Sequence, residues 1–348
     1  MIRKIPFYPL YYQNSRKSQR CSILSLSVKI CYVLGVECML ISLIIPCYNE
    51  EQSLPILKKA LDAVRTERPE FEYEYIFIDD GSKDATLSIL ETYAASDPAC
   101  HYLSFSRNFG KEAAMYAGLC ESGGEWVGLL DADLQDPPSL LPQMFDMLSD
   151  DDNDMVATRR VSRIGEPRIR SFFARRFYSL INHMSDVEIV DGARDFRLMK
   201  REVVDAILLL SERQRFSKGI FSWVGFHTKW IEFENVERAA GETKWSFWKL
   251  FRYAIDGIVS FTTVPLRLAT YTGFLVSAAA FLYMFYYVIR TIIAGFIGTP
   301  APGYPSLLSI TLFLGGVTLL ALGILGEYMA RTYMEVKQRP IYIVRRKK

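Results

Sequence analysis

The most distinctive chemical motif of the sequence is D-A-D-L-Q at residues 131–135, directly after the apolar segment Trp126–Leu130. In extended backbone alternate residues point the same way, so Asp131, Asp133 and Gln135 would present oxygen atoms to one side. Such oxygens suit Mg²⁺, which proteins usually share between one or two carboxylates and substrate phosphates. The motif therefore predicts a Mg²⁺ or Mn²⁺ site for a phosphorylated substrate. An acidic turn that caps the next helix is an equally good explanation of the motif taken alone.

Three further polar motifs each follow an apolar segment with the composition of a buried strand. An acidic pair such as Asp79 and Asp80 can accept hydrogen bonds from a base and from ribose hydroxyls, whereas Lys111 at a helix start suits a diphosphate. Helix capping is the alternative explanation for Ser82, and both uses can coexist. Together with D-A-D-L-Q, the motifs predict a nucleotide site. They are Pro46-Cys47-Tyr48-Asn49-Glu50, Asp79-Asp80-Gly81-Ser82 and Arg107-Asn108-Phe109-Gly110-Lys111.

Alternating strands and helices must position these motifs. An alternation of this kind predicts crossover connections, hence an α/β domain with a mostly parallel central sheet. Ligands of such sheets bind at the carboxyl ends of the strands, where all four motifs fall. The predicted strands are Leu40–Pro46, Tyr73–Ile78, His101–Phe105 and Trp126–Leu130. The predicted helices are Ser53–Thr66, Asp84–Ala94 and Lys111–Glu121.

Two long apolar stretches, Ala269–Phe296 and Leu307–Ala330, follow this domain. Each is long enough to cross about 30 Å of hydrocarbon, which predicts a transmembrane hairpin. The short connection Ile297–Ser306 is uncharged, whereas basic residues flank the outer ends of both stretches. The positive-inside rule then places the catalytic domain and both termini in the cytoplasm. A buried helical hairpin in a soluble protein is the alternative.

Two segments combine arginine or lysine with aromatic residues, Arg168–Met184 and Lys244–Phe261. This composition is typical of amphipathic helices in the headgroup layer, although packing helices with exposed cationic tips would also show it. The sequence divides into an N-terminal extension (1–38), a catalytic domain (39–240), an interfacial segment (241–265), two transmembrane helices (266–331) and a basic cytoplasmic tail (332–348). The extension is interpreted as disordered, or as preceding the natural start at Met39.

Composition and missing motifs exclude several classes of protein. The net charge of +2 gives no general attraction to nucleic acid, and the six cysteines include no C-x-x-C pair. The three histidines are scattered without metal-ligand spacing. The sequence also lacks G-x-G-x-x-G, G-x-x-x-x-G-K-[ST] and G-x-S-x-G. Dinucleotide oxidoreductases, P-loop NTPases and the usual serine hydrolases are therefore excluded.

The set of motifs resembles a known family. P-C-Y-N-E-E, I-D-D-G-S-K-D-A-T, S-R-N-F-G-K-E-A-A and D-A-D-L-Q-D-P-P are similar to those of inverting family 2 glycosyltransferases with the GT-A fold. The resemblance is closest to the dolichol-phosphate mannose synthase branch, and within it to bacterial bactoprenol (undecaprenyl-phosphate) glucosyl transferases. It covers about residues 39–343 and includes D-F-R-L-M, E-R-Q-R-F-S-K-G and the two apolar stretches.

The resemblance implies roles for individual residues. Those implied to hold the nucleoside are Pro46, Tyr48, Asn49, Glu50, Asp79 and Asp80, with Lys111 at the diphosphate. Those implied to hold the metal are Asp131, Asp133 and Gln135. Asp195 is implied to lie at the reacting centre, so that the implied catalytic residues are Asp131, Asp133 and Asp195. The candidates for the acceptor phosphate are Arg194, Arg197, Arg213 and Lys218, and residues 162–167 correspond to a mobile acceptor loop.

The implied activity is inverting transfer of glucose from UDP-glucose onto undecaprenyl phosphate, with Mg²⁺ or Mn²⁺, for O-antigen or cell-envelope glycan modification. The expected location is the bacterial inner membrane. The expected partners are the nucleotide-sugar donor, the polyprenyl phosphate and the lipid bilayer, with self-association and functional links to a flippase and a downstream membrane glycosyltransferase. Two alternatives stay open at this point. One is another donor sugar, such as mannose or aminoarabinose, and the other is a non-catalytic membrane scaffold.

Overall fold

The computed structural model describes residues 38–160, 190, 192–210, 212–233, 259, 262–297 and 303–348. Several regions named from the sequence lie outside these residues. They are nearly all of the N-terminal extension 1–38, the acceptor loop 162–167 and the amphipathic segments Arg168–Met184 and, except for Val259, Lys244–Phe261.

The described part of the chain forms one eight-stranded sheet, flanked by helices and followed by two long helices. A short 3-10 helix, Pro138–Leu140, precedes the fourth helix. The strands are β1 (Leu40–Cys47), β2 (Glu72–Asp79), β3 (Cys100–Phe105), β4 (Trp126–Leu129), β5 (Met155–Arg160), β6 (Ala193–Lys200), β7 (Thr228–Phe233) and β8 (Val344–Lys347). The helices are α1 (Leu54–Glu67), α2 (Thr86–Ser96), α3 (Lys111–Glu121), α4 (Leu141–Leu148), α5 (Arg201–Leu209), α6 (Ser217–Trp223), α7 (Val264–Ile297) and α8 (Tyr304–Val336).

The strand order is β7-β5-β6-β4-β1-β2-β3-β8, and the first four strands of the chain are parallel. β1 pairs with β2 on one side and with β4 on the other. The direction of winding therefore reverses at β1, which opens a crevice beyond the carboxyl ends of β1 and β4. β6 runs antiparallel to β4 and pairs Leu129 with Arg197. Continued by two residues, this register brings Asp195 opposite Asp131.

The sheet is covered on both faces, which explains why β1 reads as a continuous apolar run. On one face α1 buries Leu54, Leu57 and Leu61 at helical spacing, together with side chains of α2 and α4. On the other face α3, α5 and α6 form a second core. A Cβ at Gly118 of α3 would lie 2.1 Å from Ile44 Cγ2, so the glycine permits the helix to rest directly on β1.

α7 and α8 pack against each other and expose most of their apolar side chains. Both are long and apolar enough to cross a membrane, over Val264–Tyr286 and Phe313–Val336. The Tyr328 hydroxyl donates to the Thr262 carbonyl oxygen at 2.7 Å, which joins α8 to the residues just before α7. The exposed apolar surface has no soluble partner within the described chain and is compatible with lipid contact.

The segment 332–348, grouped from its sequence as a basic tail, is structured. Its first five residues complete α8, and β8 pairs antiparallel with β3 at the edge of the sheet. Tyr342 stacks on Phe105 with ring centroids 4.9 Å apart, and the Arg346 guanidinium lies 2.9 Å from Glu91. The chain therefore returns from the apolar helices to cover an edge strand of the catalytic domain, an edge that would otherwise be open to pairing.

Candidate active site

The loop after β1 is fastened to the loop after β2. The Asn49 amide donates to the Ser82 hydroxyl at 3.0 Å, and the Glu50 amide donates to Thr86 Oγ1 at 2.8 Å. Asn49 has a φ of 55°, a left-handed conformation for which asparagine is enriched. These contacts join the two segments at the carboxyl ends of β1 and β2. The residues implied to hold the nucleoside at the end of β1 and in this loop, all partly exposed, are Pro46, Tyr48, Asn49 and Glu50.

Asp79 and Asp80 are buried at 1% and 3% exposure and brace the neighbouring loops. Asp79 accepts hydrogen bonds from the Ser82 amide at 2.9 Å and from the Ser104 hydroxyl at 2.7 Å. Asp80 accepts from the backbone amides of residues 109 and 110, at 2.6 and 2.9 Å. Burial raises the pKa of Asp80 above its ordinary value, although these two amides oppose the shift. Both carboxylates thus hold the neighbouring loops in place, whereas α2 has no side-chain hydrogen bond at its N-cap residue, Ala85.

Lys111 is the first residue of α3 and joins two strands across the crevice. Its Nζ lies 2.6 Å from Asp131 Oδ1, beyond β4, and also bonds Asp195 at the start of β6. Burial lowers the pKa of Lys111, but attraction to the two carboxylates outweighs it and the net shift is upward. Burial likewise raises the pKa of Asp195, but Lys111 and then Lys218 bring it well below its usual range. The structure therefore unites three predicted site residues in one charged cluster.

The D-A-D-L-Q motif is a turn, so the extended geometry assumed from the sequence is wrong. β4 ends at Leu129, and Leu134 has a φ of 60°. Asp133 Oδ1 accepts from the backbone amide of Gln135 at 3.1 Å, a bond that a short acidic side chain commonly makes in a turn. The motif still gathers two carboxylates and one carboxamide within five residues, but by turning the chain rather than by extending it.

Arg194 binds the far side of this turn. Its Nε donates to Asp136 Oδ1 at 2.8 Å, and one terminal nitrogen lies 3.4 Å from Gln135 Oε1. Asp136 is fully buried, and its second oxygen has no hydrogen-bond partner among the described residues. Burial raises the pKa of Asp136 to about 6, with Arg194 opposing the shift. Arg194 therefore supports the predicted metal-binding turn.

The remaining predicted phosphate ligands separate in space. Arg197 is buried, lies 3.5 Å from the centroid of the Phe221 ring and donates to the Arg194 carbonyl oxygen at 2.9 Å. Burial lowers the pKa of Arg197 to about 10. Lys218 is partly exposed and lines a small cavity with Arg197. Arg213 lies apart, because its guanidinium is engaged by Glu335 at the end of α8, at 3.4 Å.

Three contributors were not found from the sequence, namely Asp136, Glu112 and Ser217. The carboxylate of Glu112, next to Lys111, accepts hydrogen bonds from both the amide and the hydroxyl of Ser217. An acidic residue in a first helical turn is common, so its type alone carried no signal. The one signal in the sequence for Glu112 was its position beside Lys111 in S-R-N-F-G-K-E-A-A.

The predicted metal ligands fit a divalent cation by their chemistry. The two carboxylates of Asp131 and Asp133 and the carboxamide oxygen of Gln135 are hard oxygen donors within one turn. Within the described ranges, no group of three or more His, Cys, Asp or Glu side chains forms a metal-binding cluster. A cation here would therefore depend on substrate oxygens to complete its coordination, as is common for Mg²⁺ beside phosphates.

The site thus combines a mostly parallel sheet that has a switch point, a lysine that bridges two acidic strand ends, and an acidic turn. Residues 42–208 match glycosyl transferase family 2, and residues 264–332 match the GtrB C-terminal hairpin. The second match coincides with α7 and α8 and indicates association with a membrane.

Sequence similarity to named proteins covers most of the chain. The SfII prophage-derived bactoprenol glucosyl transferase of Shigella flexneri is 46% identical over 88% of this chain and 98% of its own length. The putative glycosyltransferase CsbB of Bacillus subtilis is 43% identical over 88% of this chain and 91% of its own. A mannosyl-3-phosphoglycerate synthase structure from Rubrobacter xylanophilus matches with a TM-score of 0.43 and 18% identity, covering 66% of this chain and 74% of that one. The chain belongs to the bactoprenol glucosyl transferase family within glycosyl transferase family 2, and it is a glycosyltransferase.

Proposed function

We propose that the enzyme transfers a hexose, with UDP-glucose as the first candidate donor, to the phosphate of undecaprenyl phosphate (bactoprenol). The observation that carries the proposal is the Lys111 bridge between Asp131 and Asp195, at the switch point of a domain that continues into an apolar hairpin. The names of the relatives support the acceptor and the sugar. Mannose and aminoarabinose remain the alternative sugars.

The proposed reaction is a single displacement with inversion. An oxygen of the lipid phosphate attacks the anomeric carbon, and the bond from that carbon to the nucleoside diphosphate breaks. The acceptor phosphate is already ionised near neutral pH, so it needs little help from a general base, unlike a sugar hydroxyl. The protein's contribution is then mainly position and electrostatics.

Each side of the crevice has a proposed role in that reaction. A divalent cation held by Asp131, Asp133 and Gln135 would supply positive charge to the leaving diphosphate. Lys111, already paired with Asp131, would shift part of its bonding to the same diphosphate. Lys218, whose charge lowers the pKa of Asp195, would receive the acceptor phosphate on the opposite side. Asp195 would keep Lys111 and Lys218 correctly placed between donor and acceptor.

We place the enzyme in the bacterial inner membrane, with its catalytic domain in the cytoplasm. Basic residues at the ends of the hairpin nearest the domain support this orientation. The lipid product would then need a flippase and a second membrane glycosyltransferase to be used on the other side, for example in O-antigen modification. Self-association of the membrane section is also proposed.

The test is release of nucleoside diphosphate by the full-length protein in lipid nanodiscs. Release from UDP-glucose should require undecaprenyl phosphate together with Mg²⁺ or Mn²⁺. The matched control acceptor is undecaprenol, which has the same chain and a hydroxyl in place of the phosphate. Equal rates with both acceptors would contradict the proposed attack by a phosphate oxygen.

A further inference from the structure

Two adjacent residues at the start of α3 contact different elements of the domain. Lys111 holds Asp131 and Asp195, as described above. Glu112 turns toward α6, where its carboxylate accepts from the Ser217 amide at 3.1 Å and also from the Ser217 hydroxyl. Ser217 is the first residue of α6, and the next residue is Lys218.

We propose that Glu112 is a positioning residue that holds the start of α6, and with it Lys218, beside Asp195. The proposal deepens the function proposed above and rests on it, because Lys218 is there assigned to the acceptor phosphate. No contact between Glu112 and either substrate is needed. Glu112 would act by fixing the position of Lys218, the side chain proposed to bind the lipid phosphate.

The local geometry supports a holding role. The first amides of a helix lack partners within the helix, and Glu112 supplies one for Ser217. α6 has only seven residues, so its own hydrogen bonds fix its direction weakly. Further along α6, Phe221 is buried in the second core and stacks against the Arg197 guanidinium. Glu112 and Phe221 thus secure α6 at two points, with Lys218 between them.

Two observations place Lys218 in the neighbourhood of Asp195 and Arg197. Its positive charge is the second-largest attraction that lowers the pKa of Asp195, after that of Lys111. It also lines the same small cavity as Arg197 and Phe221. A change at the start of α6 would therefore alter the charge balance around Asp195, while the donor-side contacts of Lys111 with Asp131 would persist.

The pKa of the Glu112 carboxyl lies in a pH range in which the enzyme can be assayed. Burial raises its pKa to about 7, although the Ser217 hydrogen bonds oppose the shift. The charged groups around it are Lys111 on its own helix, Asp195 and Arg197 from β6, and Arg215 before α6. Protonation below neutral pH removes the negative charge that strengthens the bonds from Ser217, so the hold on α6 should weaken as the pH falls.

The test compares Glu112→Gln with Glu121→Gln in full-length enzyme. Glutamine keeps the size of Glu112 but weakens both bonds from Ser217, whereas Glu121 lies at the other end of α3 beside Lys347. We expect Glu112→Gln to raise KM for undecaprenyl phosphate about tenfold, the scale of one charge-assisted hydrogen bond. KM for the donor should change less than about twofold on the same reasoning, and Glu121→Gln should change neither.

A double-mutant cycle separates positioning from other roles. If Glu112 acts through Lys218, Glu112→Gln should add little to the loss caused by Lys218→Met. The wild-type KM for lipid phosphate should also rise more steeply between pH 7.5 and 6, about the pKa of 7, than that of Glu112→Gln. Multiplicative effects of the two substitutions, or an equal rise in donor KM, would overturn the proposal.

Hydrogen exchange provides a readout that does not depend on transfer. Amides of residues 217–223 should exchange faster in Glu112→Gln than in wild type, and unchanged exchange would overturn the holding role. Lys218→Met should leave this exchange unaltered. If wild-type enzyme transfers no sugar to any lipid phosphate, the proposed function fails, whereas the exchange result still decides whether Glu112 holds α6.

Discussion

The close approach of the loops after β2 and β3 can be tested at Gly81. This residue has a φ of 67°, and an added Cβ would lie 2.5 Å from the Arg107 carbonyl carbon and 2.8 Å from the Asn108 nitrogen. A side chain in the left-handed region costs about 1–2 kcal/mol. Displacing the packed backbone costs about 1–3 kcal/mol more. Gly81→Ala should therefore lower the free energy of unfolding by roughly 2–5 kcal/mol.

Gly225→Ala is the matched control. Gly225 has a similar φ of 76°, but an added Cβ would meet no atom of the described residues within 4 Å. Gly225→Ala should therefore lower the free energy of unfolding only by the backbone cost of about 1–2 kcal/mol. For a domain of this size the two variants should lose roughly 10 °C and roughly 4 °C in Tm.

The assay is thermal unfolding in detergent, followed by tryptophan fluorescence at one scan rate for all variants, because membrane proteins often unfold irreversibly. Gly81→Ala should also slow sugar transfer, since the Arg107–Gly110 loop that it displaces leads into Lys111. Gly225→Ala should retain the wild-type rate. Equal losses of Tm in the two variants would refute the loop contact that forms one side of the site.

Three further predictions concern the charged cluster, the metal and the C-terminal strand. Lys111→Met should lower kcat by about 100- to 1000-fold, the scale of losing one preorganised electrostatic donor, and Lys111→Arg should lower kcat less. A decrease in kcat below about threefold for Lys111→Met in the diphosphate-release assay would contradict the role of the ammonium group. Asp133→Ala should abolish transfer with Mg²⁺ or Mn²⁺, and chelation should do the same to the wild type, so full activity with a chelator present would exclude the metal assignment. Deletion of residues 343–348 should expose the edge of β3, lower Tm and promote association in size-exclusion chromatography, and an unchanged elution profile and Tm would show that β8 is dispensable.

The first half of the sheet could be predicted because its signals are local. β1 to β4 are rich in buried apolar side chains, and the predicted helix Lys111–Glu121 is confirmed to the residue. β6 carries arginine, aspartate and lysine, and its place depends on pairing with β4 and β5. β8 reads V-R-R-K and is identified only by its distant partner β3. Such strands have no alternating or apolar pattern that a local reading could detect.

The site shows the same division between local and distant information. Asp131 and Asp133 were recognised by their spacing, but the positive φ of Leu134 makes their segment a turn and not an extended strand. Asp195 was named only by resemblance, since its meeting with Lys111 requires the antiparallel register of β4 and β6. Arg213 was predicted to bind the acceptor phosphate. Its contact with Glu335, which lies 122 residues further along the chain, could not be predicted from the local sequence.

The most direct test of the central claim is the mass of the lipid after reaction. Full-length enzyme in nanodiscs would be incubated with undecaprenyl phosphate, a divalent cation and one donor at a time, from a panel of UDP- and GDP-sugars. The extracted lipid would then be weighed by mass spectrometry, with Asp133→Ala as the matched inactive control. We predict that the wild-type enzyme forms a hexosyl phosphate lipid from UDP-glucose and that Asp133→Ala does not. The absence of any lipid-linked sugar from every donor would contradict the account.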